Sequence, residues 1–219
     1  MPSWRIEHLV DDPAAFHSRP LGDQRTATFF QAASPTLVLG SAQRDDSVDR
    51  QAAKRQGIDV IRRRSGGGGV LLWPDEYVWL DLEIPTADPL WSNDVGRAMW
   101  WVGALWCSAL AADVPNPHVH HGRLRRSRWS ADVCFAGVGP GEVMVAEAKL
   151  VGVSQRRTRE AARFQTMVHL RWRADTVAGL VAGPAGERLS GSDLEHVVAT
   201  CPASAESITD RLMAGLHRL

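Results

Sequence analysis

Arg62-Arg63-Arg64-Ser65-Gly66-Gly67-Gly68-Gly69-Val70 places three guanidinium groups and four glycines directly behind the β-branched strand end Asp59-Val60-Ile61. Glycines lack Cβ atoms, so such a turn can approach a ligand closely and adopt positive φ. Successive free N–H groups in a turn form an anion-binding concavity. Arginines add forked, permanent donors for phosphate or carboxylate. The stretch therefore predicts a site for a phosphorylated or acyl-adenylate ligand. Its plainer reading is a glycine hinge with a solvated basic flank. A second run, Lys149-Leu150-Val151-Gly152-Val153-Ser154-Gln155, favours the ligand site.

The surroundings of the glycine turn fix its structural type. Residues 35–41 read as a buried strand ending at Gly40, and 58–63 as a second strand. Asp46 to Gln56 predicts a helix with Ser47 as cap and Gly57 as stop. Val70 to Trp73 and Tyr77 to Ile84 form a hairpin about Pro74-Asp75-Glu76. No helix follows the glycines and no Gly-Lys-Ser/Thr ending is present. Phosphate-loop and dinucleotide folds are thereby excluded.

Composition narrows the function class. The 219 residues suit one large domain, and 44% hydrophobic residues supply its core. Charge is balanced, 25 basic against 25 acidic, so no global field points to nucleic acid or membrane. Cys107, Cys134 and Cys201 are odd in number and scattered, which argues for a reducing compartment. Cys107 reads as core and Cys201 as inert. The N-terminal residues do not resemble a signal peptide and no apolar run reaches membrane length. A cytoplasmic protein is expected.

Apolar residues recur at helical spacing over 91–112, with Trp100, Trp101 and Trp106 widening the stripe. Residues 4–10 alternate like a strand. Strands are expected at Asp132 to Ala136, Glu142 to Val145, Leu150 to Arg156 and Phe164 to Trp172, with Gly139-Pro140-Gly141 as a hairpin turn. Helices are expected near Asp175–Ala182, then a Gly/Pro/Ser connection, and near Ala205–Leu219, where Ile208, Leu212, Leu216 and Leu219 share one side. Hairpins around one long helix give an α+β domain. His118, His120 and His121 lack nearby carboxylates or thiols to complete a metal site. The loop Arg123 to Arg128 is either solvated surface or a contact for an acidic protein.

On these two motifs the chain resembles the lipoate–protein ligase A family, within the biotin/lipoyl protein ligase and octanoyltransferase superfamily. The Arg-Arg-x-Ser-Gly-Gly-Gly turn is matched by Arg63-Arg64-Ser65-Gly66-Gly67-Gly68, with the spacing residue slipped by one. The Lys-Ile/Val-x-Gly-x-x-Gln strand is matched around Lys149, Gly152 and Gln155. Similarity spans roughly residues 35–172. The resemblance implies a fold related to class II aminoacyl-tRNA synthetases and biotin synthetase, with 1–219 as one catalytic domain lacking the accessory C-terminal domain of longer ligases. It implies activation of lipoate or octanoate with ATP and Mg²⁺ as an acyl-adenylate. The acyl group then passes to a lysine of a lipoyl domain, on a 2-oxoacid dehydrogenase E2 or the glycine cleavage H protein. In the transferase branch an acyl carrier protein is the donor.

Site residues follow from the same resemblance. Lys149 polarises the acyl carbonyl or α-phosphate, and apart from Lys54 it is the only lysine. Arg64 contacts phosphate or carboxyl. Arg63, Ser65, Gly66, Gly67, Gly68 and Gly69 wall the ligand, with Asp132, Gly152 and Gln155 as further contacts. Three departures stand out. The histidine after the glycine run is replaced within Leu71-Leu72-Trp73, the Asn-Asp pair becomes Ala131-Asp132, and the His-Gly after the lysine strand becomes Thr166-Met167. They raise a second reading. Cys134, fifteen residues before Lys149, looks like the thioester nucleophile of octanoyltransferases. A third reading is an idle lipoyl- or biotinyl-binding protein.

Overall fold

The computed structural model describes residues 3–181 and 189–219. The expected helix end at Ala182 and most of the Gly/Pro/Ser connection lie outside the described residues. Among the described residues ten strands make two sheets. The larger runs β1 (Arg5–Asp11), β2 (Thr26–Ala32), β6 (Tyr77–Pro85), β10 (Ala161–His169), β9 (Ala148–Arg157), β8 (Val143–Val145) and β7 (His118–Val119). The smaller has β3 (Thr36–Leu39) between β4 (Asp59–Arg62) and β5 (Val70–Leu72). Pairing is antiparallel except between β1 and β2 and between β3 and β4. The helices are α1 (Pro13–Ser18), α2 (Arg50–Arg55), α3 (Trp100–Leu110), α4 (Ala174–Leu180) and α5 (Ala205–Leu216). This is the expected α+β class.

Three apolar clusters stack these elements into layers. Val102, Leu105, Trp106 and Ala109 of α3, with Ile208, Leu212 and Leu216 of α5, cover one face of the large sheet. The buried Trp106 indole is satisfied there, donating to Thr166 Oγ1 at 2.9 Å. Val38, Val70 and Leu72 of the small sheet meet Phe30, Tyr77, Trp79 and Met167 of the large one, with Phe16 of α1. Ala52 and Ala53 of α2 and Val177, Ala178 and Leu180 of α4 close the far side of the small sheet. Strand β10 is buried on both faces. Its even residues Ala162, Phe164 and Val168 join the helix-side core, while Met167 joins the core between the sheets. The polar Arg163, Gln165 and His169 alternate on the Met167 side.

Several expected elements shift. The helix expected from Asp46 capped by Ser47 is a 3-10 turn, Asp45–Ser47, followed by α2, whose cap is Asp49 accepting from the Ala52 N–H at 2.8 Å. The helix expected over 91–112 narrows to a 3-10 turn at Arg97–Met99 and α3. The strand expected at Asp132 to Ala136 is a loop with a 3-10 turn at Cys134–Ala136. Its single bridge joins Val133 to Gly69, because its backbone is held by the glycine turn instead of by a neighbouring strand. The strand expected at Phe164–Trp172 runs earlier, as β10, in register with β6. Strand β2 and helix α1 had no counterpart in the sequence reading. No described helix is long and apolar enough to cross a membrane.

Candidate active site

The glycine turn between β4 and β5 is shaped around a buried arginine. Arg63 is 2% exposed. Its Nε donates to Ser65 Oγ (3.0 Å), its Nη1 to the Val38 carbonyl (3.1 Å), and its Nη2 to the carbonyls of Gly66 (2.7 Å) and Gly68 (2.9 Å). The same Nη2 lies 4.0 Å from Cys134 Sγ. Burial pushes the guanidinium below its ordinary value, an effect the neighbouring Cys134 opposes. Gly67 adopts φ +96°, and Gly68 packs so closely that a Cβ there would stand 2.7 Å from the Val133 amide nitrogen. The loop carrying Cys134 is clamped to this turn. Gly69 N–H donates to the Asp132 carbonyl (2.8 Å), and Cys134 N–H to the Gly69 carbonyl (2.9 Å).

The facing wall comes from the large sheet. Lys149 on β9 is 2% exposed. Its ammonium donates to the Cys134 carbonyl (2.7 Å) and pairs with Glu142 at 2.8 Å. Glu142 is itself fixed by the N–H groups of Gly139 (2.6 Å) and Val153 (3.3 Å). Gly152 leaves room for Phe135, whose ring carbon would lie 3.2 Å from an added Cβ. A hydrogen-bond chain ties the walls together. Ser65 Oγ donates to Gln165 Oε1 (2.7 Å) and accepts from Ser154 Oγ (3.2 Å), while Gln165 Nε2 meets His17 Nδ1 (3.0 Å). His17 is buried, which lowers it to about 3, so the ring is neutral and Nδ1 accepts from the amide.

Between the walls lies a cleft of about 760 Å³. Of the residues predicted from sequence, Gly66, Gly67, Gly68, Cys134, Lys149 and Gln155 line it. Both polar atoms of the Gln155 amide are buried without a hydrogen-bond partner among the described residues. A smaller void of about 20 Å³ lies beyond Cys134, lined by Arg63, Gly152, Val70, Trp79, Phe135 and Met167. Cys134 borders both spaces. The remaining predicted residues are elsewhere. Arg64 is exposed and lines neither space. Ser65 is buried inside the hydrogen-bond chain. Gly69 supports the Cys134 loop, and Asp132 reaches the site through its backbone carbonyl, which also accepts from Gln43 Nε2 at 3.1 Å. Burial raises the Asp132 carboxyl.

Sequence reasoning missed Glu142, Gln165 and His17. The Gly139-Pro140-Gly141-Glu142 turn held a signal, since a carboxylate seven residues before the lysine on a hairpin can fold back onto it. Gln165 and His17 carried none. Of the three clustered histidines, His118 bonds the Asn116 carbonyl, His120 the Arg123 carbonyl, and His121 meets the Trp100 ring edge-on. From the basic loop, Arg126 and Leu124 reach the cleft, and Arg125 lies 3.7 Å from Glu147.

The profile of the lipoyl protein ligase A/B catalytic domain matches residues 10–212. The chain belongs to that family. It is an enzyme of the lipoate-ligase or octanoyltransferase type. An octanoyltransferase LipM of Kyrpidia tusciae is 27% identical, covering 98% of this chain and 86% of its own length. Among solved structures, a bipartite lipoate protein ligase of Thermoplasma acidophilum, described with its E2 lipoyl domain, superposes with a TM-score of 0.76 at 15% identity. That alignment covers 100% of this chain and 84% of the ligase. A second T. acidophilum structure, with bound lipoic acid, gives 0.72 at 15% identity over 99% of this chain and 84% of the other. The family's two motifs thus face each other across one cleft.

Proposed function

We propose that this enzyme is an octanoyltransferase that carries the acyl group on Cys134. The carrying observation is the position of the thiol, at the junction of an open cleft and a small void, beside Lys149 and Arg63. The void holds about one water-sized group, so an acyl chain bound at the sulfur would extend along the cleft of about 760 Å³, past Val95, Met99, Leu124 and Val153. In the first step the thiol gives up its proton and attacks the carbonyl of an acyl carrier protein thioester. The donor C–S bond breaks, and the carrier thiol leaves with a proton. In the second step the neutral amine of an acceptor lysine, on a lipoyl domain, attacks the Cys134 thioester. The amide forms, and the proton released from nitrogen restores the Cys134 thiol. Lys149, fixed by Glu142 and the Cys134 carbonyl, is placed to stabilise the oxygen on which charge builds in both steps. The LipM relative supports this reading.

The adenylating ligase ranks second because the cleft offers no free carboxylate to a Mg²⁺-nucleotide. Glu142 is the one carboxylate lining it, and its oxygens are engaged by Lys149, Gly139 and Val153. The Asp132 carboxylate does not line it. The test is incubation with octanoyl carrier protein without ATP. The expected result is an octanoyl adduct on Cys134 that an apo lipoyl domain discharges, and its loss in Cys134→Ser. Cys134→Ser that still lipoylates the acceptor with lipoate, ATP and Mg²⁺ would establish the ligase instead.

A further inference from the structure

The rim of the cleft differs in composition from the rest of the surface. The chain as a whole is balanced, 25 basic residues against 25 acidic. Yet the loop Arg123-Leu124-Arg125-Arg126-Ser127-Arg128 carries four arginines and no carboxylate, and all six residues are exposed. Its backbone is pinned. Arg125 N–H donates to the Val138 carbonyl (2.8 Å), Val138 N–H donates to the Arg125 carbonyl (2.9 Å), and the His120 ring bonds the Arg123 carbonyl (2.9 Å). The buried Trp129 anchors the end of the loop, with Arg128 stacked over its ring at 4.9 Å. The exposed acids beside the rim, Asp94 and Glu147, face Arg97 and Arg125 at 3.6 and 3.7 Å, and such surface pairs are weak. Among the described residues Arg123 and Arg126 have no ion pair. Three large apolar side chains stand out in solvent among the described residues, Val10, Val95 and Leu124, at 71%, 55% and 55% exposure. Two of them, Val95 and Leu124, line the cleft that holds Cys134, and Arg126 and Arg157 line it with them. Exposed apolar side chains ringed by arginine have the composition of a protein-binding surface.

We infer that this rim docks the acyl carrier protein that delivers the thioester, its arginines meeting an acidic face of the carrier and Val95 and Leu124 an apolar spot within that face. Naming the carrier as occupant rests on the transferase reading. Charge decides between the two protein substrates of that reaction. The acceptor presents a lysine, a cation in solution, which the arginine loop repels. The acyl thioester is neutral, and acidic side chains around it are drawn to the loop. A partner seated there has its acyl group at the entrance of the cleft that leads to Cys134. A membrane surface fits less well, because Leu124 is the single apolar residue of the loop and buries too little area in a bilayer.

The experiment measures affinity for an octanoyl carrier protein whose thioester is replaced by an amide, so that it binds without transferring. Wild type is expected to bind it, and to lose more than about tenfold in affinity between about 50 mM and about 500 mM salt. Arg123→Glu/Arg125→Glu is expected to weaken binding by at least about tenfold. The control Arg50→Glu/Arg55→Glu makes the same charge change on α2, at the far side of the small sheet, and should stay within about twofold of wild type. In turnover the loop variant should raise KM for the thioester carrier by a similar factor, with kcat and the KM for the lipoyl domain held. Equal losses in the two variants, or a rise in KM for the lipoyl domain instead of the carrier, would overturn the inference. So would a wild type that binds vesicles of anionic lipid and not the carrier. Binding that responds as expected, without any acyl adduct on Cys134, would sink the transferase reading and leave the docking surface standing. An adduct on Cys134 in a loop variant that binds the carrier like wild type would do the reverse.

Discussion

On the large sheet each buried strand cation faces a carboxylate. Lys149 meets Glu142 at 2.8 Å, and Arg163 on β10 meets Asp81 on the adjacent β6. On the turn wall Arg63 faces a hydroxyl, three carbonyls and, at 4.0 Å, the Cys134 sulfur, with no carboxylate among the described residues. The difference follows from what each wall is made of. Strands place side chains in facing rows, so a carboxylate can stand opposite a cation. A run of four glycines offers no side chains, only backbone carbonyls, which solvate a guanidinium without cancelling its charge. Around Cys134, therefore, the Lys149–Glu142 pair is neutral as a unit, whereas the Arg63 charge is solvated without being cancelled.

The largest expected effect tests whether the turn wall works by close backbone approach. Gly68→Ala would bring a Cβ to 2.7 Å from the Val133 nitrogen and 2.8 Å from the Cys134 nitrogen. Displacing Cys134 in this way should cost more than about 100-fold in acyl transfer. Gly66→Ala meets nothing within 4 Å and should keep wild-type stability within about 0.5 kcal/mol. Equal melting temperatures and equal acyl-adduct yields for the two variants would contradict the steric account.

The sheet wall can be broken next. Lys149→Met leaves Glu142 buried without its cation, a loss on the order of 3–5 kcal/mol. Adding Glu142→Gln removes the stranded charge, so the double variant should recover much of that loss in urea denaturation. A double variant no more stable than the single would mean that the pair is not the unit described.

A smaller effect tests the neutral groups where the walls meet. His17 and His169 are both lowered by burial to about 3 from 6.5. The unfolded chain therefore binds more protons below 6.5. Stability is full above that value and is lost as pH falls toward 3. At about 1.4 kcal/mol per unit, each histidine removes about 2 kcal/mol by about pH 5. His169→Phe should flatten the acid limb of a stability-against-pH curve by about 1.4 kcal/mol per pH unit, and an unchanged limb would count against the buried neutral ring. The smallest effect is at Arg64. It is exposed, and Arg64→Ala should change the unfolding free energy by no more than about 0.5 kcal/mol. A larger change in thermal denaturation would place this arginine in the wall.

Where the sequence was readable, the signal was local. The strands around Leu37, Val60 and Leu71, the hairpin into Tyr77, and the Lys149 strand were each written in alternation and in glycine or proline punctuation. Strand β2 escaped notice because Thr26 to Ala32 reads TATFFQA, buried at five of seven positions, without a clean period of two. Asp132 to Ala136 was misread as a strand because Val133, Phe135 and Ala136 are apolar and buried. Burial came from packing against Gly68 and Gly152, and the hydrogen-bond partner was the turn.

The sequence by itself determined that this chain has an α+β fold with a glycine turn and a lysine strand, because those choices rest on neighbouring residues and on the loss of a Cβ. It also pointed to the residues that meet in the cleft, Gly66, Gly67, Gly68, Cys134, Lys149 and Gln155. Tertiary structure decided what each charge does. Arg63 became the buried core of the turn while the adjacent Arg64 was left in solvent, and Lys149 acquired Glu142. The Asp132 carboxylate was withheld from the cleft although its carbonyl holds the site. Charge pairing depends on distances between segments far apart in the chain, and it varies steeply with burial. No local pattern of residue types carries that information.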